Sequence, residues 1–309
     1  MAAYIARRLL LSVFVLWGTV SLVFVVMRLV PGDPALMILG PDAQLGELEA
    51  LRKQMGLDQP VILQYLNYLW GALQLDFGDS VRLGGDAMSH VLGRMPLTLV
   101  LAAAALVVAV VVGVSMGILA ALNFDTRIDR TVTTLSLVTH SAPSFWVGLV
   151  LILIFARQLQ VLPSGGAGTF AHLVLPALAA GLPFSATLTR FTRSGLLEVV
   201  NEGYIQTARS KGLSERIVIV AHAIRNSLIP IVTVVGLYAG GILGGTVVIE
   251  TVFSWPGMGR LIVDSIGYRD YAVVQAGIVL ITFVFVAINL VVDVLYGYLD
   301  PRVRLAGKR

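Results

Sequence analysis

The chain of 309 residues has no cysteine, and only 13% of its residues are charged. Without thiols it can form neither disulfides nor thiolate metal sites, so its redox compartment leaves no mark on the sequence. Four histidines, His90, His140, His172 and His222, show neither an H-E-x-x-H spacing nor a neighbouring carboxylate set that would hold zinc. No Walker A motif is present; the single Gly-Lys pair is Gly307–Lys308, followed by Arg309. If ATP powers this system, another chain binds it. One stretch, Gly113–Gly117, matches the G-x-S-x-G nucleophile pattern, but it lies inside an apolar run rather than at the strand-to-helix elbow that the motif needs. An intramembrane protease would also need a nucleophile–base or aspartate pair, and none is evident.

What is present is apolar. Hydrophobic residues make up 57% of the chain and mean hydropathy is +0.87, which excludes an ordinary soluble domain. Crossing a bilayer core takes about 20 apolar residues in a helix. Six stretches approach that length: Leu9–Val30, Leu97–Leu122, Thr131–Phe155, Leu173–Leu188, Leu228–Ile249 and Ala272–Leu295. The fourth is the weakest, interrupted by Pro183. Barrel strands of about ten alternating residues do not fit such runs. The fold class is therefore an all-α polytopic membrane protein with six transmembrane helices. Arg7 and Arg8 resemble a signal-peptide start, but the run is too long and Pro31–Pro34 offers no small-residue cleavage site, so the first span is retained.

A sequence pI near 9.5 invites a nucleic-acid reading. The positions of the charges answer it. Arg7, Arg8, Arg127, Arg130, Arg190, Arg193, Arg209, Lys211, Arg216, Arg225, Arg302, Arg304, Lys308 and Arg309 fall on one side if six spans alternate. That bias is the positive-inside rule, and it places both termini in the cytosol.

Between the first two spans lies an outward segment, with a short helix at Leu45–Met55 and a second at Val61–Leu75. The second carries Ile62, Tyr65, Leu66, Leu69 and Leu73 at helical spacing, with Pro60 at its start. Asp33, Asp42, Glu47, Glu49, Asp58, Asp76, Asp79 and Asp86 make the segment acidic. It reads as a solvated cap or as a docking surface for an extracytoplasmic partner. The domain boundaries expected are 1–93 for the first helix and this segment, 94–297 for the membrane domain and 298–309 for a cytosolic tail.

Spans three to five are the candidates for lining a pathway. Thr139, His140, Ser141 and Ser144 form a polar stripe beside Pro143, and the fifth span carries Gly240 and Gly244 among further glycines. Breakers and polar groups inside a bilayer are tolerated where a neighbour or a cavity satisfies the backbone; tight packing through small residues is the alternative. Asn289 and Asp293 lie one turn apart in the last span, where Asp293 is read as a partner for a basic residue.

The remaining feature is Asn201–Thr233, a polar and basic insertion between the fourth and fifth spans. Gly212 suits a left-handed turn after a helix, and Ser214 can cap the next one. On that second helix Ile217, Ala221, Ile224 and Leu228 form an apolar stripe. The small side chain of Ala208 permits close backbone approach. Two short helices with a glycine corner suit a groove on a partner; a membrane-hugging amphipathic loop is the other reading.

The residues Tyr204–Leu213, followed by His222–Pro230, resemble the cytoplasmic EAA loop of bacterial ABC importer permeases, in the form found in the dipeptide/oligopeptide/nickel branch. Ala6–Leu9, Leu29–Pro34, Leu57–Pro60, Asp76–Ser80, Trp255–Gly259, Asn289–Tyr296 and Leu299–Arg302 resemble other landmarks of its B-type permeases, over essentially the whole chain. One departure stands: Gln206-Thr-Ala208 replaces Glu-Ala-Ala, so that glutamate's ion pair is not carried over. The resemblance implies a type I ABC permease in the bacterial inner membrane. It also implies a homologous second permease, two cytosolic ATPase subunits that bind ATP and magnesium, and an extracytoplasmic binding protein. Coupling to the ATPases then falls on Tyr204, Gln206, Thr207, Ala208, Arg209, Lys211, Gly212, Arg225, Asn226 and Pro230. Short peptides are the expected substrate, with glutathione or chelated nickel as alternatives. An ion-coupled carrier is the competing class; it would need paired ionisable groups near the membrane midplane, and His140 alone is a weak offering.

Overall fold

A computed structural model describes residues 2–29, 34–40, 43–54 and 56–299. Pro31–Asp33 of the motif after the first span, Met55, and the tail from Asp300, with Arg302, Arg304, Lys308 and Arg309, lie outside the described residues. The elements are α1 (Ala2–Leu29), α2 (Pro34–Leu39), α3 (Leu45–Gln54), α4 (Val61–Gln74), α5 (Ala87–Leu122), α6 (Arg127–Ser141), α7 (Ser144–Leu151), α8 (Phe170–Val200), α9 (Gly203–Ser210), α10 (Glu215–Ile217), α11 (Arg225–Val252), α12 (Met258–Gly267) and α13 (Tyr271–Leu299). Two π-helical segments, Ile152–Gln158 and Val218–Ile224, continue α7 and α10. Among the described residues the extended pairing is one isolated bridge, Asp79 to Asp86.

Among the described residues, five helices are long and apolar enough to cross a membrane. They are Ala6–Leu29 within α1, then α5, α8, Ile231–Val252 within α11, and Tyr271–Val294 within α13. The sixth candidate is bent. The sequence read Thr131–Phe155 as one crossing; the chain instead turns through 107° between α6 and α7. Ala142 is extended (φ −78°, ψ 127°) because Pro143 follows it, and a residue before proline is pushed out of the helical region. The fourth span differs in the opposite sense. Pro176 and Pro183 are both carried inside the unbroken 31-residue α8, which packs on α6, α7 and α11. Neighbouring helices and hydroxyls can re-satisfy backbone freed by proline in a membrane helix. Apart from the carbonyls those prolines free, Ser185 Oγ donates to the Leu182 carbonyl at 2.7 Å and Thr189 Oγ1 to that of Ser185 at 2.9 Å.

The chain divides into two compact units. The first joins residues up to Pro96 with Gly257–Ala287. Its core gathers Ala87, Met88, Val91, Met258, Ile262, Val273, Val274, Ala276 and Leu280. Ser80 Oγ donates to the buried Asp270 carboxylate at 2.5 Å, tying the turn before α5 to the α12–α13 junction. Asp86 caps α5 by accepting from the Ser89 amide at 2.8 Å. Its carboxyl is held below the usual carboxylate range by the Ser89 hydroxyl and amide.

The second unit joins Leu97–Pro256 with the chain from Ile288. There α5 and α8 run almost backbone to backbone. A Cβ on Gly113 would fall 2.6 Å from Leu188 Cβ, and one on Gly117 would fall 2.5 Å from Thr192 Cβ. The G-x-S-x-G match is thus a G-x-x-x-G packing seam, in which small residues let helices approach where lipid supplies no hydrophobic drive. Leu101, Leu175, Ala179, Ile249, Phe253 and Trp255 form a second core, and Trp255 Nε1 donates to the Leu97 carbonyl at 3.1 Å.

Candidate coupling loop and pathway

α8 ends at Val200, and after Asn201 and Glu202 the chain enters α9. Three residues apart, Ile205 and Ala208 are the buried positions of α9. They pack with Ala121 of α5, Leu196 of α8, and Val218 and Ala223 of the second π-segment. Tyr204, Gln206, Thr207, Arg209, Lys211 and Gly212 are exposed, as are Arg225 and Asn226 at the start of α11. Ala208 therefore faces the protein's own interior, where its small size admits α5 and the π-segment. The side chain of Pro230 is outside the described residues, though its backbone continues α11.

The corner after α9 is a Schellman turn. Gly212 adopts φ +79°; its amide donates to the Arg209 carbonyl at 2.9 Å and the Leu213 amide to that of Ala208 at 3.4 Å. These are the two bonds of that motif, and glycine takes the left-handed position without a Cβ penalty. Two side-chain links brace it. Arg209 grips Glu215 through Nη2–Oε1 at 2.7 Å and Nε–Oε2 at 3.2 Å, and Asn226 Nδ2 donates to Tyr204 Oη at 3.0 Å. The hydrogen bond from Arg209 holds the Glu215 carboxyl below its ordinary value.

Ser214 occupies the cap position with its backbone, making no side-chain cap bond. The stripe expected at Ile217, Ala221, Ile224 and Leu228 is displaced. Ile217 is 47% exposed, whereas Val218, Ala223, Ser227 and Ile231 are buried. A π-helix brings residues five apart onto one face, so Val218 and Ala223 align and a 3.6-residue count misses them.

The pathway candidates are spread over three helices. Thr139 is half-buried on α6, and the exposed His140 reaches Thr187 Oγ1 on α8 with Nδ1 at 3.3 Å. Ser141 donates to the Leu137 carbonyl at 3.0 Å and lines an open apolar hollow at the α6–α7 elbow with Val138, Pro143 and Trp146. Ser144, half-buried, starts α7. On α11, Gly240 is buried and Gly244 exposed.

Sequence reasoning missed three buried carboxylates, Asp270 described above and two in the second unit. Glu250, fully buried near the end of α11, accepts from Thr98 Oγ1 at 2.6 Å. Asp129, 3% exposed, takes both nitrogens of an Arg193 fork. A lone acid in Val-Val-Ile-Glu-Thr was a usable signal. Asp129 was not, because Arg-Ile-Asp-Arg reads as an ordinary charged turn.

The chain belongs to the family described as binding-protein-dependent transport system inner membrane component, which matches residues 113–305, with the N-terminal component of the same systems matching 1–102. It is thus an inner-membrane permease subunit, not an enzyme, and such permeases work with ATPase and substrate-binding partners. It is 42% identical to the glutathione transport system permease protein GsiC of Escherichia coli (strain K12), over 98% of this chain and 99% of that one. The Salmonella choleraesuis protein of the same name gives the same figures. Among solved structures, an inward-facing MetNI methionine ABC transporter aligns with TM-score 0.58 at 17% identity, covering 69% of this chain and 97% of that one. An amino acid ABC transporter aligns with TM-score 0.52, also at 17% identity, covering 69% and 94%. These two establish the type I importer fold.

Proposed function

We propose that the chain forms half of the translocation pathway of an ATP-driven importer of short peptides, glutathione among them, beside a homologous second permease. The observation that carries the reading is the division of α9. Its inner face is locked into α5, α8 and the π-segment, while Tyr204, Gln206, Arg209 and Lys211 stay outside. Packed interiors are barely compressible, so a displacement applied to the outer face is delivered to two spans. Two cytosolic ATPases seat that face and bind ATP with magnesium; this chain contributes no cofactor site. Nucleotide then biases the inward- and outward-open states through its different affinity for each. Both termini lie in the cytosol, in accord with the basic residues on that side. Thr139, His140, Ser141, Ser144, Gly240 and Gly244 line the route, and the elbow hollow receives the second permease. The names of the GsiC relatives support glutathione as one cargo.

Absence of native cysteine makes the test clean. In the assembled complex, Gln206→Cys should crosslink to an ATPase subunit, and vesicles should take up glutathione or dipeptides only with ATP. Labelling of Gln206→Cys from the outer side, or uptake without ATPase subunits, overturns the reading.

A further inference from the structure

We infer that α4 is a membrane-embedded helix whose outward face lies in the acyl chains of the leaflet opposite the amino terminus. Composition comes first. Val61–Gln74, VILQYLNYLWGALQ, carries no charged residue, whereas the neighbouring α3 carries Glu47, Glu49, Arg52 and Lys53. The apolar residues read at helical spacing are divided between two faces. Tyr65 and Leu69 are partly covered, while Ile62, Leu66, Trp70 and Leu73 are 73, 53, 65 and 78% exposed. At 100° per residue these four, with exposed Leu63, fill one continuous arc. A patch of that kind on a water-facing cap would be an aggregation liability.

Depth supplies the occupant. α4 packs on α1: Ser21 Oγ meets Tyr65 Oη at 2.6 Å, Phe24 meets Tyr65 edge-on and Tyr68 at a tilt with ring centroids 5.2 and 5.5 Å apart, and Arg28 reaches Gln64 Oε1. Ser21 lies eight residues before Leu29, the end of the apolar span, or about 12 Å along the helix axis. The Ser21 and Phe24 contacts with α4 are therefore level with hydrocarbon, and the Arg28 contact sits at the end of the span. Two side-chain amides of α4 behave accordingly, while the buried Tyr68 hydroxyl is without a partner among the described residues. Gln64 Nε2 turns back to the carbonyls of Leu57 and Gln59 at 3.2 and 2.6 Å, and Asn67 Nδ2 turns back to Gln59 Oε1 at 3.2 Å. Such internal satisfaction is what a bilayer demands. Tyr65, Tyr68 and Trp70 supply the aromatic residues that favour the interface.

The inference rests on α1 being a span and not on the cargo or the ATPases. The test uses the full transporter with its partner subunits in phosphatidylethanolamine–phosphatidylglycerol vesicles, with a nitroxide at Leu66→Cys, Leu73→Cys or Glu47→Cys. At the first two sites collision with oxygen should exceed collision with a water-soluble nickel chelate severalfold, and at Glu47→Cys the order should reverse. Nickel-dominated relaxation at Leu66→Cys and Leu73→Cys overturns the inference in favour of a solvated cap. Low access to both reagents overturns it in favour of a protein interface. Brominated acyl chains give a second reading without cysteine: quenching in the wild type should fall in Trp70→Phe, and an unchanged quenched fraction also overturns it.

Discussion

Arg193 of α8 and Asp129 of α6 are joined by two parallel hydrogen bonds, Nε–Oδ1 at 2.6 Å and Nη2–Oδ2 at 2.8 Å. Asp129 also accepts the Asp125 amide at 3.0 Å and the Thr133 hydroxyl at 3.4 Å, so its acceptor sites are well used. Planar, bidentate pairing of this kind is the strong form of a charge-assisted bond. It fastens the α5–α6 turn to the helix that leads into α9.

Removing either partner leaves a charge with little water around it. For a buried pair that costs about 3–5 kcal/mol, and because a quarter of the Arg193 side chain is exposed, the low end is expected. Asp129→Asn and Arg193→Leu should each lower the thermal midpoint of the purified chain, and the double variant should lose much less than their sum. Additive losses would show that the two side chains are not energetically coupled.

At Gly212 the expected effect is on coupling. A residue with a Cβ in the left-handed region pays about 1–2 kcal/mol, and asparagine tolerates that region best. Gly212→Pro cannot adopt φ +79° and removes the amide that closes on Arg209. It should insert normally yet hydrolyse ATP with little transport, whereas Gly212→Asn should stay close to wild type. Normal transport by the proline variant would exclude this corner from the coupling element.

Two glycines should respond oppositely to the same methyl group. Gly117→Ala drives a Cβ against Thr192 and the Thr189 carbonyl, whereas Gly244→Ala meets nothing within 4 Å. Overpacking costs about 1–3 kcal/mol, while helical propensity favours alanine over glycine by about 1 kcal/mol. Melting of the purified chain should therefore fall for Gly117→Ala and hold or rise for Gly244→Ala. Equal responses would contradict the close α5–α8 seam.

The Arg209–Glu215 pair sets a pH window. The Glu215 carboxyl titrates below its ordinary 4.5 because Arg209 holds it. The pair's contribution is then complete above 4.5 and is lost as pH falls through the lower folded value. Hydrogen exchange across α9 should be faster in Glu215→Gln than in wild type at neutral pH, and the two should converge in acid. The difference is expected to be small, since both side chains face water. Equal exchange at neutral pH would mean that the pair does not brace the corner.

Local chemistry made much of this legible. The Gly212 corner could be read because a left-handed residue after a short helix has a strong compositional cue. The length of the apolar runs was equally plain. Misreadings arose where a neighbour outweighed the local signal. Pro183 broke a span on paper and is tolerated inside α8, because surrounding helices hold that backbone. The displaced stripe on Val218–Ile224 came from assuming a period that a π-helix does not keep.

The one-dimensional order of apolar, charged and glycine residues was enough to determine that this protein lives in a membrane, and to mark the corner at Gly212. Those properties follow from transfer energies and backbone sterics, which act on short stretches. Only the tertiary structure decided that Asp129 meets Arg193 across 64 residues and Thr98 meets Glu250 across 152, and that Ala208 faces inward. Such pairings depend on which helix faces are brought together in three dimensions, and no local window of sequence contains that information.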